Sequence, residues 1–351
     1  MMSDISIPSP DAGAARAARE RIDQLTKPAG SLGRIEELAE RLAAIHGDLP
    51  PVYERRAILV GAGDHGVTAE GVSAYPSEVT PQMVGAFLGG FAAINAFARV
   101  ARAEVFVANF GVAAELPAHE RLIGDAVGRG TRNFARVAAM DAPDVDRALR
   151  AGADALETIV ARVDPQIVAL GEMGIGNTTS AAALICALTG APAEEVVGRG
   201  TGVDDEGLRR KQSVVAAAVS RLPARDWRTV AGEVGGFEIV GLAGALLAAA
   251  RRRLPVLLDG YIVSAAALLA QAIAPASIGY CIAAHRSREA GHAIALRHLG
   301  LVPLLDLDLR LGEGSGAALA MPLCDAAARM VREMKTFAEA GVSTASEPLE
   351  V

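Results

Sequence analysis

The chain has 351 residues, of which 51% are apolar and 21% charged, and its formal net charge is −7. This composition is typical of a globular protein with a sizeable core. Basic and acidic residues are interspersed, and the absence of a basic face excludes a duplex nucleic acid as a partner. The three cysteines, Cys186, Cys281 and Cys324, lie in separate apolar segments, so we interpret them as buried free thiols, not zinc ligands or disulfides.

The two ends of the chain differ from its centre. The start, MMSDISIPSPDAG, has no basic segment followed by an apolar stretch, so we expect no signal peptide and a cytoplasmic protein. Residues 11–46 are expected to form helices around a TKPAGSLGR turn, and residues 317–340 one long helix or two. We therefore expect residues 1–50 and 323–351 to form a smaller helical domain beside an α/β domain of residues 51–322. No periodic pattern continues beyond Val342.

Between these ends, short apolar runs repeatedly lead into Gly/Asp/Asn-rich loops and then into helix-like segments. The clearest are RRAILVGAGDHGV (55–67), AEVFVANFGV (103–112), PQIVALGEMGIGNTTSAAALICAL (165–188), LPVLLDGYIVSAAALLAQA (254–272), ASIGYCIAAHRSREAGHAIALRHL (276–299) and VPLLDLDLRLGEGSGAALAMPL (302–323). The alternation predicts an α/β fold with a doubly wound, mostly parallel, Rossmann-like sheet. In such a sheet, ligands bind beyond the carboxyl ends of the strands, where the polar loops cluster.

The stretch from Gly260 to Ala284 is uncharged for long enough to be considered as a membrane span. It contains Gln271 and Pro275 and divides at AIAPAS. We therefore interpret it as a helix, a break and a buried strand, and we expect no membrane partner.

GEMGIGNTTSAAAL (171–184) is the strongest local signal for ligand binding. A strand runs into a glycine-rich turn, and Asn177 and Thr178 are expected to cap the helix that follows, which makes an anion site of backbone N–H groups at a helix N-terminus. No Gly-Lys-Ser/Thr follows, so the loop is not a Walker A motif. A tight strand–helix turn without a ligand is the alternative. Glu172 favours a ligand, because an acid beside a phosphate cradle is costly unless it faces hydroxyls or positive charge.

Two further loops carry charged residues. GRGTGVDDEGLRRK (198–211) offers Lys211 or Arg199 as a countercharge for a phosphate, and a capped helix start with surface charges is the alternative. In LDLDLRLGEGSGAALA (305–320), Glu313 stands between Gly312 and Gly314 at the mouth of an expected strand. A partly desolvated glutamate in that position should have a raised pKa and suit general-base chemistry, unless it is an ordinary surface loop residue.

Three other motifs leave their role open. Asp64 and His65 of GAGDHGV could bind a metal or act in acid–base catalysis, or form a hydrogen-bonded structural turn. SAYPSEVTPQMV (73–84) offers a wall and a polar hook for a flat ring. HRSREAGH (285–292) is expected to start a helix, with capping by Ser287 and surface pairing favoured over zinc, because no third ligand has suitable spacing.

Taken together, these stretches resemble the nicotinate-nucleotide:dimethylbenzimidazole phosphoribosyltransferase family of cobalamin lower-ligand synthesis. The resemblance runs from about residue 20 to residue 340, in order and without large gaps. Nine motifs carry it: LTKPAGSLGRIEELA, GAGDHGV, YPSEVTPQMV with FAAIN after it, GEMGIGNTTSAAAL, GRGTGVDDEG, GGFEIVGLAGA, LDGYIVSAAALLA, HRSREAGH and LDLRLGEGSGAALAMPL.

The resemblance implies transfer of the phosphoribosyl group of nicotinate mononucleotide to 5,6-dimethylbenzimidazole, giving α-ribazole 5′-phosphate and nicotinate, with no metal and no cofactor. It implies Glu313 as the general base, with Glu172 as a second catalytic carboxylate. The implied phosphoribosyl site comprises Gly174, Ile175, Gly176, Asn177, Thr178, Thr179, Gly200 and Lys211. The implied pocket for the base comprises Ser73, Tyr75, Gln82, Met173 and Leu311. The family also implies a homodimer.

Two other functions fit the sequence less well. A kinase or hydrolase that binds a polyphosphate would need a lysine or a magnesium-binding Ser/Thr in the loop, which Met173–Ile175–Asn177 does not offer. A nucleotide-binding regulatory paralogue would have no need of Glu313 between glycines. One residue departs from the family pattern: Asn109 stands where an aspartate is expected, either in substrate binding or in orienting a loop. The preferred base is not determined by the sequence.

Overall fold

The computed structural model describes residues 6–343 of the chain. They fall into two compact units. Of the described residues, the larger contains 6–9 and 54–321, and the smaller contains 10–53 and 322–343. The expected boundaries were at residues 50 and 322. Most of the sequence beyond Val342 lies outside the described residues.

The larger unit is built on a six-stranded sheet in which every neighbouring pair is parallel. Its strands are β1 (Arg56–Gly63), β2 (Glu104–Gly111), β3 (Leu122–Ile123), β4 (Ile167–Met173), β5 (Val256–Leu258) and β6 (Cys281–Ala283). Their order, β3-β2-β1-β4-β5-β6, reverses direction between β1 and β4. This confirms the predicted doubly wound sheet, and the point of reversal is where such folds bind ligands.

The helices are divided between the two units. In the smaller unit lie α1 (Ala12–Gln24) and α2 (Arg34–His46); in the larger lie α3 (Val79–Gly89), α4 (Ala93–Ala101), α5 (Ala142–Val163), α6 (Asn177–Thr189), α7 (Ala193–Val196), α8 (Asp205–Ser220), α9 (Trp227–Val234), α10 (Phe237–Arg251), α11 (Tyr261–Ile273) and α12 (Ala290–Leu299). α13 (Ser315–Glu333) begins in the larger unit, and α14 (Phe337–Ala340) belongs to the smaller. Two 3-10 helices cover Gly66–Glu70 and Pro275–Tyr280.

Small residues let α5 and α10 approach closely. A Cβ atom on Gly152 of α5 would lie 1.7 Å from the carbonyl oxygen of Gly241, and one on Gly244 would lie 2.0 Å from that of Leu149. Every residue of α10 from Phe237 to Ala250 is buried. The glycines of GGFEIVGLAGA therefore serve the packing of a central helix.

The uncharged stretch Gly260–Ala284 has the predicted form. α11 is buried over Tyr261–Ala270, the 3-10 helix Pro275–Tyr280 interrupts the chain, and β6 follows as a buried strand. A different stretch, Val79–Ala101, is long and apolar enough to cross a membrane by length and composition, with a mean hydropathy of 1.5. There the described chain consists of α3 and α4, separated by a left-handed Gly90.

Two expectations about the last third of the chain were wrong. VPLLDLDLRLG was expected to add a strand to the main sheet, but only Leu305–Asp306 is a strand, β8. It pairs with β7 (His285–Arg286) in a separate two-stranded sheet. HRSREAGH was expected to start a helix at its first histidine, yet His285 lies in β7 and the helix begins at Ala290.

Candidate active site

Glu313 occupies a strained turn at the start of α13. Gly312, Glu313 and Gly314 all have positive φ, at 90°, 65° and 86°, a backbone conformation that residues other than glycine rarely adopt. Glu313 is nevertheless buried, with 5% of the residue exposed. Its Oε2 accepts a hydrogen bond from the N–H of Ile94 at 3.4 Å. The sequence placed Glu313 at the mouth of a strand, whereas the structure places it at a helix N-terminus.

Asp259, which follows β5, holds this turn in place. Its Oδ2 accepts from the N–H of Gly314 at 3.2 Å, and its Oδ1 accepts from the N–H of Ala317 at 3.0 Å. A carboxylate that satisfies the first N–H groups of a helix also interacts favourably with the helix dipole. Asp259 therefore connects the β5 end to the α13 turn. Sequence reasoning missed it, although an Asp-Gly pair directly after an apolar run was a usable signal.

Glu172, near the end of β4, faces the same turn. Asn177 Nδ2 donates to its Oε2, and its carbonyl oxygen accepts from the N–H of Glu313 at 3.2 Å. A Cβ atom on Gly312 would lie 2.2 Å from Glu172 Oε1, so glycine is required there. Asn177 thus orients a carboxylate as well as standing in the first turn of α6, whose N-cap is Gly176 and not Asn177 or Thr178 as expected.

Burial and mutual repulsion shift the acids of this cluster. Burial, followed by the negative charges of Asp259 and Glu238, raises the pKa of Glu172 to about 8, and the Asn177 hydrogen bond opposes the rise. Burial also raises the pKa of Glu313; the Ile94 N–H opposes this and Asp259 adds to it. Carboxyl groups with raised pKa values are suited to proton transfer near neutral pH.

The turn from β4 into α6 forms the second part of the site. Gly176 has a φ of 93°, and the N–H of Ile175 donates to Thr80 Oγ1 at 3.0 Å. The positive end of the α6 dipole points out of this turn, and such an end attracts anions.

Lys211 of α8 reaches the same region from behind the turn. The residue is 1% exposed, and its Nζ donates to Thr178 Oγ1 at 2.7 Å. Burial lowers its pKa to about 8, and the nearby Glu289 opposes this. Gly200 leaves room for both groups, since a Cβ there would lie 2.7 Å from Thr178 Oγ1 and 3.0 Å from Nζ. Arg199, the alternative countercharge, instead pairs with the exposed Asp205.

These parts line one cavity of about 470 Å³, a volume suited to a small organic ligand. Ten of the residues named from the sequence lie on its wall: Glu172, Met173, Gly174, Ile175, Asn177, Thr178, Gly200, Tyr75, Leu311 and Glu313. The cavity also has lining residues that the sequence had not singled out for this site, among them Asp259, Tyr261, His285, Ser287, Glu289 and Arg310.

Comparison with known proteins identifies the family. A family model described as "Phosphoribosyltransferase" matches residues 7–342. The nicotinate-nucleotide–dimethylbenzimidazole phosphoribosyltransferase of Chloroflexus aggregans is 53% identical over 340 residues, covering 96% of each chain. That of Thermus thermophilus is 54% identical over 327 residues, 93% of this chain and 97% of its own. The chain belongs to the nicotinate-nucleotide:dimethylbenzimidazole phosphoribosyltransferase family.

The fold agrees with a solved member of this phosphoribosyltransferase family. The crystal structure of the Thermus thermophilus protein superposes with a TM-score of 0.91 at 52% identity, covering 95% of this chain and all of that one. The match confirms the α/β fold. The names of the sequence relatives and of this structure show that the chain is an enzyme, a phosphoribosyltransferase, and not a polyphosphate kinase.

Five residues named from the sequence are not on the cavity wall of this phosphoribosyltransferase. Lys211 and Thr179 are buried behind it, and Gly176 is the α6 N-cap. Ser73 lies beside the wall, with Oγ 3.4 Å from Oγ1 of the lining residue Thr201. Gln82 is exposed on α3, whereas its neighbour Met83 lines the cavity.

The remaining motifs have structural contacts. Asp64 Oδ2 accepts from the N–H of Ala113 at 2.8 Å, and His65 contacts Glu238. Asn109 Oδ1 accepts from the N–H of Val112 at 3.0 Å and is not on the cavity wall, so it orients a loop. Within residues 6–343, no three His, Cys, Asp or Glu side chains are grouped as ligands for a metal.

The two histidines of HRSREAGH do not pair on a helix surface, contrary to expectation. His285 and His292 are both buried, at 2% and 1% exposure. His292 Nδ1 accepts from the N–H of Ser287 at 2.8 Å, and its Nε2 lies 3.1 Å from Ser264 Oγ. Burial lowers the pKa of His292 to about 3, so it is neutral and acts as a hydrogen-bond bridge. A motif rich in charged residues gave no indication of this burial.

Proposed function

We propose that this enzyme transfers the phosphoribosyl group of nicotinate mononucleotide to 5,6-dimethylbenzimidazole or a related base, with Glu313 as the general base. The observation that carries the proposal is the arrangement of one cavity. A buried carboxylate in a strained turn, Glu313, lies on the same wall as the α6 N-terminus and Thr178, which Lys211 contacts. A base and an anion site are the two elements that this transfer requires.

The phosphate of the nucleotide is assigned to the α6 end of the cavity. The positive end of the α6 dipole and the Lys211 ammonium supply positive charge there. Phosphate binding would favour the charged form of Lys211, whose pKa is lowered in the free enzyme. The incoming base is assigned to the more apolar wall with Tyr75, Met173 and Leu311, with Ser73 and Gln82 at its edge.

In the proposed reaction, a ring nitrogen of the benzimidazole attacks C1′ of the ribose from the face opposite nicotinate. The C1′–N bond breaks with its electron pair passing to the pyridinium nitrogen, which leaves uncharged and needs no acid. The proton on the second benzimidazole nitrogen passes to Glu313. The product is α-configured because attack and departure occur on opposite faces, and no metal or organic cofactor takes part.

Glu172 has a different role in this proposal. With a pKa of about 8, it is largely protonated at pH 7 and can donate a hydrogen bond to a ribose hydroxyl. When ionised, it would stabilise the positive charge that develops at C1′. Two carboxyl groups in one cavity can thus serve as a donor and a proton acceptor.

The test is a direct assay of products. The purified protein is incubated with nicotinate mononucleotide and a panel of bases (dimethylbenzimidazole, benzimidazole, adenine and a phenol), and products are identified by mass. We expect release of nicotinate and formation of a ribotide of the benzimidazole. No ribotide with any base would contradict the proposal.

We also infer a cytoplasmic homodimer from the family resemblance. Exposed apolar side chains on and between α3 and α4 support association, since Phe91 is 76% and Val100 71% exposed. Sedimentation equilibrium should give twice the 36.0 kDa chain mass, and a monomer at micromolar concentration would contradict this.

A further inference from the structure

A fully buried histidine–glutamate pair lies beneath the phosphoribosyl-binding turn. His65, just beyond the end of β1, places Nε2 2.7 Å from Oε1 of Glu238, the second residue of α10. Neither side chain is exposed to solvent. An ionised carboxylate only accepts hydrogen bonds, so with Glu238 ionised the Nε2–H tautomer of His65 is the donor. The pair joins two segments that are 173 positions apart in the sequence.

The turn Gly174–Gly176 rests on this pair. A Cβ atom on Gly174 would lie 3.3 Å from Glu238 Oε1, and one on Gly176 would lie 3.3 Å from His65 Cβ. Both distances are shorter than ordinary van der Waals contact, so the absence of side chains at these glycines lets the turn pack closely on the pair. Added Cβ atoms would also meet the carbonyl oxygen of Gly63 at 2.3 Å and Thr68 Cγ2 at 2.7 Å. The pair is therefore one of the groups on which the turn packs.

Glycines on the other side leave the space that the pair occupies. A Cβ on Gly63 would lie 2.8 Å from Glu238 Oε2, and one on Gly236 would lie 2.3 Å from His65 Cε1. The backbone at four glycines thus closes around one hydrogen bond. These glycines belong to GAGDHGV, GEMGIGNTT and GGFEIVGLAGA, so three separate motifs meet here.

Burying this pair costs more folding free energy than a purely structural contact would. Glu238 Oε2 and His65 Nδ1 are buried and have no hydrogen-bond partner within the part of the chain that the structure describes. Burying such groups unpaired reduces stability, and strain of this kind is typical of functional sites. The Glu238 carboxylate is also close enough to Glu172 to act on its ionisation. The pair therefore adjoins both the turn and the acid that faces it.

We propose that His65 and Glu238 are positioning residues that set the affinity for the phosphoribosyl substrate by holding the Gly174–Gly176 turn against the α6 N-terminus. Neither residue lines the cavity, so neither touches the substrate. The inference rests on the proposed function. Loss of the hydrogen bond should loosen the turn and raise KM for nicotinate mononucleotide, while the chemistry at Glu313 proceeds at a similar rate once substrate is bound.

The test uses variants that separate the hydrogen bond from side-chain volume. His65→Leu and Glu238→Leu each remove it, His65→Asn is too short to reach Glu238, and His65→Gln retains a donor. We expect KM for nicotinate mononucleotide to rise about tenfold in the first three, with kcat changed less than about threefold. His65→Gln should recover much of the loss. The double leucine variant should match the single ones, because each removes the same contact.

A matched control comes from the other unit. His46 Nε2 lies 3.0 Å from Tyr53 Oη, so His46→Leu also removes a histidine hydrogen bond. It should lower the unfolding temperature and leave KM unchanged.

Three results would overturn the inference: an unchanged KM in a folded His65→Leu protein, additive effects in the double variant, or an equal loss in His65→Leu and His46→Leu. If the leucine variants do not fold, His65→Asn and His65→Gln decide: a higher KM in Asn supports the inference, and equal values contradict it. Absence of any ribotide with the unmodified enzyme would instead refute the proposed function.

Discussion

Among the described residues, five non-glycine residues have a positive φ, and Glu313 is one of them. Arg102 and Asp164 follow the last residues of α4 and α5, where a left-handed residue commonly ends a helix. Glu313 has no such role, because it lies between two glycines that are also left-handed. The conformation costs about 1–2 kcal/mol for a residue with a side chain. It directs the carboxylate into the cavity, which supports a catalytic role over a structural one.

Replacing Glu313 tests this at the level of one side chain. Glu313→Gln should lower kcat by about 10²–10⁴-fold, because it removes the proton acceptor and keeps the shape. Glu313→Gly should be equally inactive but unfold at a higher temperature, since glycine relieves the strained φ. Steady-state kinetics and thermal unfolding measure the two effects. Near-normal turnover in either variant would exclude Glu313 from catalysis.

Burial and the Asp259 charge should both shift the pH dependence of the reaction. Burial and the Asp259 charge raise the pKa of Glu313, so activity should fall as pH drops through a value above that of an ordinary glutamate. Asp259→Asn removes a negative charge, which lowers the pKa of Glu313 and moves the acid limb of kcat/KM to lower pH. An acid limb that stays in place, or moves to higher pH, would contradict this assignment.

At the scale of elements, glycine spacing was more informative than hydrophobic periodicity. The backbones of α5 and α10 come into contact at Gly152, Gly241 and Gly244. The hydrophobic periodicity of α10 does not indicate that α5 is the helix it packs against. Periodicity was also misleading for VPLLDLDLRLG, since alternating leucines and aspartates became a two-residue strand outside the main sheet. Alternation indicates that a segment has two faces, but not which sheet it joins.

Two glycine-to-alanine substitutions separate the effect of helix packing on stability from the effect of backbone conformational freedom. Gly244→Ala should lower the free energy of unfolding by about 1–3 kcal/mol, because its Cβ would overlap the Leu149 carbonyl. Gly85→Ala, on an exposed face of α3 with nothing within 4 Å of the added Cβ, should raise it by about 0.4–1 kcal/mol. Chemical denaturation measures both. A neutral Gly244→Ala would show that the helices can move apart at little cost.

At the scale of the whole molecule, each unit has its own buried charge. In the smaller unit, Lys27 Nζ lies 2.8 Å from Glu36 Oε1, and both side chains are at most 6% exposed. Burial opposes ionisation of Glu36, but Lys27, the Leu32 N–H and Arg19 together lower its pKa. A depressed carboxyl pKa contributes stability that is present above the unfolded-state pKa and is lost as pH falls through the folded-state pKa.

Glu36→Gln should therefore destabilise the protein by about 3 kcal/mol near neutral pH, because it leaves the Lys27 charge buried and unpaired. The loss should shrink as pH falls from the ordinary glutamate range through the lower folded-state pKa of Glu36, where Glu36 of the unmodified protein becomes protonated too. Lys27→Met combined with Glu36→Leu should restore most of the stability. Thermal unfolding at several pH values checks this, and a double variant no more stable than Glu36→Gln would contradict it.

The sequence by itself determined the fold class, the family and the two loops that carry Glu172 and Glu313. An apolar run followed by a glycine-rich loop is a local pattern, so it can be recognised from residues adjacent in the sequence. Because the carboxyl ends of parallel strands meet at one edge of the sheet, Glu172 and the Gly174–Thr178 turn could be placed at that edge. Only the tertiary structure decided which charges are buried and what they contact. Asp259 meets Gly314 across 55 positions, and Lys211 meets Thr178 across 33. Such contacts depend on the packing of distant segments, because a charge remains buried only where another part of the chain supplies its partner.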